Sequence, residues 1–174
     1  MRHLRCFPNY LYFCCITVAV TSGYAGCYSF TGASVPQHWK TIAVPIFDDD
    51  SNYGEPGLRE RITNAVIQKL QRDNTLRLTD RSASDVVLVG TIMSIKPDEP
   101  VALVQGDRAS RYRITATLKI SLQDKVQKKQ VWEKQFSAYG DYGITSGASQ
   151  KDVGLQTAID KLSDDIILET LSGW

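Results

Sequence analysis

Cysteine is missing from the sequence after residue 27: Cys6, Cys14, Cys15 and Cys27 are the only four. A disulfide framework or a thiolate metal site is thereby excluded from the rest of the chain, which must fold on its hydrophobic core alone. Histidine is almost as scarce, with His38 the single one after the N-terminal stretch. No apolar run approaches the roughly 20 residues of a membrane-crossing helix. The stretch at 10–20 is broken only by Thr17 and has the length of a secretory h-region. An excess of one charge is also lacking. Two of the 20 basic residues, Arg2 and Arg5, lie in the first 26 positions and none of the 19 acidic ones do, so 18 cations face 19 anions thereafter. Such a balance gives no electrostatic reason to expect nucleic acid or a strongly acidic surface as partner; any electrostatic role must come from local patches.

What is present begins with the leader. Arg2 and Arg5 form a basic start, residues 10–20 an apolar centre, and Thr21, Ser22 and Gly23 a looser stretch before Tyr24-Ala25-Gly26-Cys27. Small residues followed by cysteine match a bacterial lipoprotein precursor, cut before Cys27 so that the new N-terminal thiol carries a lipid. Tyr24 stands where an aliphatic residue is usual, and an ordinary secretory cut near Ala25 or Gly26 is the competing reading. The expected organisation is a signal peptide over residues 1–26, a Ser-, Thr- and Gly-containing tether over 27–37, and one domain over 38–174. Removing 26 residues leaves 148, a size at which folding buries about 70% of the surface the unfolded chain exposes, enough for one self-sufficient core.

Periodicity supplies the elements. Residues 41–47 alternate as a strand does, with Pro45 favouring an edge or a strand end. Turn chemistry fills 48–56. Leu58, Ile62, Ala65, Val66 and Leu70 recur at helical spacing, and Asp73 and Asn74 stop that helix before a short strand at 76–79. Residues 86–93 are apolar on both faces, as in a central strand, and Lys96-Pro97 is expected to end it. Residues 111–122 alternate most clearly, with Tyr112, Ile114, Ala116, Leu118, Ile120 and Leu122 on a dry side and charged or hydroxyl side chains on a wet one. A turn over 124–130 and a strand over 131–139, carrying Trp132, Phe136 and Ala138, complete a hairpin. Residues 139–147 read as a Gly-rich loop. Val153, Leu155, Ile159, Leu162 and Ile166 then mark a helix over 149–171, with Ser149 and Asp152 in capping-box register. The order β-α-β-β-β-β-α predicts an α+β fold: a two-layer sandwich with a mixed sheet of four to five strands and two helices on its dry face. The other face is left exposed or covered by a partner.

Little in this pattern is chemical. Asp49, Gly54 and Glu60 sit at three places of a calcium loop, but Tyr53 occupies a ligand position and Pro56 intrudes, so a solvated loop ahead of a helix N-terminus is favoured and no metal is expected. A lipid-anchored hydrolase would need His38 as its base, without a G-x-S-x-G elbow to support it. Gly140, Gly143 and Gly147 are not followed by G-K-[ST] and are expected to form a connector rather than a phosphate loop. Arg111, Arg113 and Lys119, with Lys125, Lys128 and Lys129 nearby, form a basic stripe. Its plain reading is the solvated side of a strand; its sharper one is a grip on lipid phosphates, for which arginine offers bidentate hydrogen bonds.

Gly26-Cys27-Tyr28-Ser29-Phe30, then Ile42-Ala43-Val44-Pro45-Ile46-Phe47, the helix with Leu58, Ile62, Ala65 and Leu70, and Ala83-Ser84-Asp85-Val86-Val87-Leu88-Val89-Gly90-Thr91-Ile92 together resemble the lipopolysaccharide-assembly lipoprotein family LptE. The resemblance spans essentially all of the chain after Cys27 and rests on order and spacing. It implies a non-enzymatic lipoprotein of the outer membrane, on its periplasmic face, that plugs the LptD-type β-barrel and assists lipopolysaccharide transport to the outer leaflet. No cofactor is implied beyond the covalent lipid on Cys27. Arg111, Arg113 and Lys119 become the candidate contacts to lipopolysaccharide or to the barrel. A structural or regulatory envelope lipoprotein, such as a synthase activator or a secretion-pore subunit, is the alternative.

Overall fold

The computed structural model of the protein describes residues 35–101, 111–143 and 148–172, the side chains of 148 and 149 excepted. Its elements are β1 (Thr41–Ala43), β2 (Asp48–Asp49), α1 (Leu58–Asp73), β3 (Arg77–Leu78), β4 (Val86–Val101), β5 (Arg111–Asp124), β6 (Lys129–Gly143) and α2 (Ala148–Ser172). The sheet is mixed and six-stranded, in the order β3-β1-β4-β5-β6, with β2 also on β4. β1 lies parallel to both β3 and β4, whereas β4, β5 and β6 form an antiparallel meander. The fold is the expected α+β sandwich with one strand more than foreseen.

The extra strand arises because residues 41–49 do not run as one. Ala43 faces Val87 and Asp48 faces Thr91, so five steps on one side match four on the other, the signature of a bulge. Pro45 has no N–H to give the ladder there. The displacement turns Phe47 inward and leaves Ile46 exposed, opposite to simple alternation. The freed backbone of Phe47 is satisfied by α1: its N–H donates to Thr63 Oγ1 at 3.0 Å and its carbonyl accepts from Arg59 Nε at 2.7 Å. Across the sheet, a side chain at Gly90 would come within 2.8 Å of the Phe47 ring, so a large residue at one position requires glycine at the other.

α1 buries Leu58, Ile62, Val66 and Leu70, the spacing read from sequence. It ends where Asn74 turns left-handed at φ 59° and returns its N–H to the Leu70 carbonyl. α2 buries Leu155, Ala158, Ile159, Leu162 and Ile166. Val153, expected on that stripe, is 62% exposed, because Gly154 instead is the residue that meets the sheet. The helix begins at Ala148, which puts Ser149 inside its first turn rather than ahead of it. Arg61–Asp152 at 3.1 Å and Lys69–Asp164 at 2.5 Å join the helices, whose residue order shows them running parallel. All the large buried side chains form one core between helices and sheet.

Two boundaries differ from expectation for reasons of packing. β4 continues through Lys96 and Pro97 to Val101 by absorbing a register shift between Lys96 and Glu99, with Asp98 left-handed at φ 60°. Tyr142 donates its hydroxyl to Asp98 and accepts the Asp98 N–H at 3.0 Å, and Lys151 reaches the same carboxylate at 3.2 Å. The expected loop at 139–147 is strand as far as Gly143: Gly140 lies against α2, where an added Cβ would meet the Gly154 carbonyl oxygen at 2.0 Å. Gly140 is thus a contact site between layers, not a connector, and Gly147 falls outside the described residues.

Candidate functional site

The free face of the sheet is built by the alternation of β5. Ile114, Ala116, Leu118, Ile120 and Leu122 are fully buried toward the helices, which turns Arg111, Arg113, Thr115, Thr117 and Lys119 the other way. Neighbouring strands answer these side chains. Arg113 makes a two-pronged ion pair with Asp141, Nε to Oδ1 at 2.7 Å and Nη2 to Oδ2 at 3.2 Å, and its guanidinium lies 3.6 Å from the Tyr139 ring centre. Hydrogen bonding to Arg113 holds the Asp141 carboxyl below its ordinary range, and the same bond raises the guanidinium. Lys119 pairs with Glu133 at 2.8 Å, Thr115 donates to Glu99 at 2.7 Å, and Thr117 shares a hydrogen bond with Ser137. Arg111 is exposed and has no ion pair among the described residues.

Spacing along the strand decides which of the three cations act together. Arg111 and Arg113 are two positions apart, about 7 Å, whereas Lys119 is about 20 Å beyond Arg113 at the rise of a strand. One headgroup reaches the arginine pair or Lys119, not both. Cys27 lies outside the described residues.

The opposite end of the sheet holds a polar junction that sequence reasoning did not foresee. Asp124 closes β5 with its side chain only 1% exposed. It accepts from Trp39 Nε1 at 2.8 Å, from the Gln127 amide at 2.7 Å, and bonds His38 Nε2 at 2.7 Å. Burial acts to raise its pKa, but those hydrogen bonds outweigh it and bring the carboxyl down to about 2. Beside it Asp85 accepts the N–H groups of Lys40 and Thr41, each at 2.9 Å. Two carboxylates thus fasten the segment entering the domain to β4 and to the β5–β6 turn. His38 serves this junction; among the described residues no hydroxyl donates to it. At the end of β2 Asp49 accepts from the Ser51 N–H and hydroxyl, and the described residues include no group of three or more potential metal ligands.

A polar sheet face backed by two parallel helices defines a two-layer α+β scaffold with a surface free for a partner. The chain belongs to the LptE family, lipopolysaccharide-assembly, whose family model matches residues 39–170. This is a family of non-enzymatic lipoproteins, and the protein is a lipopolysaccharide-assembly lipoprotein in that general sense. No curated protein matches it in sequence. Among solved structures the fold is similar to protein CT253 of Chlamydia trachomatis (TM-score 0.58, 12% identity, 76% of this chain and 95% of the other). It is similar also to XCC0632 of Xanthomonas campestris (0.56, 13%, 80% and 90%) and to the PelC dodecamer of Paraburkholderia phytofirmans (0.52, 12%, 82% and 94%). No helix among the described residues is long and apolar enough to cross a membrane.

Proposed function

We propose that residues 1–26 are a signal peptide removed on export, that Cys27 is acylated, and that residues 27–37 tether a domain of residues 38–174 to the periplasmic face of the outer membrane. There the domain plugs an LptD-type β-barrel and assists delivery of lipopolysaccharide to the outer leaflet. The observation that carries this reading is the LptE match over residues 39–170 directly behind Tyr24-Ala25-Gly26-Cys27. The free sheet face supports it. Arg111, Arg113 and Lys119 present cations to lipid phosphates or barrel-wall carboxylates, with Arg111 the first contact because Arg113 and Lys119 must exchange Asp141 and Glu133 for the ligand. Burial of acyl chains contributes about 0.8 kcal/mol per methylene, and stable anchoring takes more than one chain.

The test is recovery of the acylated protein from detergent-solubilised outer membranes, with a large β-barrel and lipopolysaccharide expected in the same complex. A chain recovered alone overturns the plug. Replacing Arg111, Arg113 and Lys119 by Ser is expected to weaken lipopolysaccharide binding about fivefold, at roughly 1 kcal/mol for the one cation, Arg111, not already neutralised by a carboxylate. Unchanged binding with unchanged circular dichroism removes the site. A self-assembling envelope subunit is the second reading, favoured by the fold shared with the PelC dodecamer. A monomeric sedimentation coefficient for the solubilised chain rejects it.

A further inference from the structure

Basic residues of this domain divide by location. Most of those on the helices and the sheet face, among them Arg61, Lys69, Arg113, Lys119 and Lys134, are matched to carboxylates, whereas Arg72, Lys96, Arg111 and Lys161 stand apart from one another without such a partner among the described residues. At the end of the sheet where the chain enters, Lys40, Arg81, Lys128 and Lys129 are exposed and have no carboxylate partner among the described residues, and Lys125 spends its ammonium on the carbonyls of Arg81 and Ser82. Four carboxylates lie at this end, Asp73 and Asp80 with the hydrogen-bonded Asp85 and Asp124, against six cations once Arg77 and Lys125 are counted, so positive charge is in excess by two. At the tip of the hairpin, between these lysines, Val126 is 55% exposed. The arrangement is rigid. Asp124 holds the turn through Gln127 and the entering chain through His38 and Trp39, and the Lys125 N–H donates to the Asp85 carbonyl at 2.8 Å.

We infer that this pole, with Lys40, Arg81, Lys128 and Lys129 around Val126, is a docking surface for anionic phospholipid headgroups of the leaflet that receives the anchor. Seven residues, and so eight Cα-to-Cα steps, separate Cys27 from Val35. At most about 3.5 Å per residue, they keep this end of the domain within roughly 30 Å of the membrane. Lysines supply long-range attraction to phosphates without fixed geometry, and an apolar side chain at the tip enters the interface. The basic pole would then add to the acyl anchor and orient the domain against the leaflet as well as help to hold it there.

The inference rests on anchoring at Cys27, but its test does not. The chain from residue 27 with Cys27→Ser is sedimented with phosphatidylcholine vesicles, with and without a third of phosphatidylglycerol. Binding to the anionic vesicles is expected to exceed binding to the neutral ones and to fall between about 0.1 and 0.5 M salt, as screening shortens to a few Å. The variant Lys40→Ser, Lys128→Asn, Lys129→Ser, in which Asn suits the left-handed backbone of Lys128 at φ 53°, should bind about 100-fold more weakly. Val126→Asp alone should bind more weakly as well, and near-ultraviolet dichroism of Trp39 and Trp132 verifies that both variants fold. Equal binding of native and variant chains, or equal binding to neutral and anionic vesicles, overturns the inference. So does a variant that loses binding to lipopolysaccharide micelles while keeping that to vesicles, which would assign the pole to lipopolysaccharide. An unlipidated Cys27 found by mass spectrometry overturns the anchor and leaves this binding intact.

Discussion

Asp124 shows how much one side chain can decide. A carboxylate buried without partners would be protonated or expelled; here three hydrogen bonds keep it ionised. Its folded pKa, about 2, lies below the ordinary 3.8, so it contributes stability that is complete above the unfolded value and lost as pH falls through the folded one. That difference amounts to about 2 kcal/mol. Asp124→Asn should therefore lower the urea-unfolding free energy by about 2 kcal/mol at neutral pH, with the gap closing from pH 4 downward. A gap that persists at pH 2 would mean that shape, not charge, matters. Tyr142, pushed up to about 12 by burial and by its bond to Asp98, plays the corresponding part at the other end of the sheet, where it keeps a left-handed residue inside a strand. Neither role was visible in sequence, since Asp124 reads there as turn chemistry and Tyr142 as part of a loop.

At the scale of elements, the layers come into backbone contact where Gly140 of β6 touches Gly154 of α2. A methyl on Gly140 would lie 2.0 Å from a backbone oxygen, which no rotamer change relieves, whereas one on Gly154 would meet Tyr142 Cδ1 at 3.0 Å and Ile114 Cγ2 at 3.2 Å. Gly140→Ala should cost about 3 kcal/mol or more. Gly154→Ala should be near neutral, since about 1 kcal/mol of helix propensity offsets mild crowding. Thermal unfolding of the two variants checks the order, and equal losses would show that α2 does not lie where described. The same contact explains where sequence reading succeeded and where it stopped. β5 and α1 were legible because one face of each is buried over its whole length, so burial wrote a clean period into the residues. The bulge at residues 44–47 broke the period of the first strand, and glycines that serve close approach look the same in sequence as glycines that serve a turn. Of the candidate site, the wet face of β5 could be read from alternation, but the carboxylates on Asp141 and Glu133 that answer its cations come from cross-strand register, which one strand's sequence does not contain.

For the molecule as a whole, the two ends of the sheet do different work. The helix N-termini, the β4 bulge with Asp98 and the Arg113–Asp141 pair lie toward one end; the entering chain, the β5–β6 turn and the unmatched lysines lie toward the other. Trp39 is the first buried large residue among those described, tied down by Asp124, and Val35 ahead of it already packs against the core, so the folding unit is complete without an acyl chain on Cys27. Anchoring and folding should then be separable. Cys27→Ser in the processed chain is expected to leave the urea midpoint and the slope of unfolding unchanged, because neither core burial nor the surface exposed on unfolding involves the acyl chains. The same substitution should release the protein from the membrane fraction into the periplasmic extract at raised ionic strength, where a basic pole alone no longer holds it. A lowered midpoint would show that Cys27 itself contributes to the folding unit, and retention in the membrane at high salt would show that a protein partner such as the proposed barrel, rather than the lipid, is the stronger attachment.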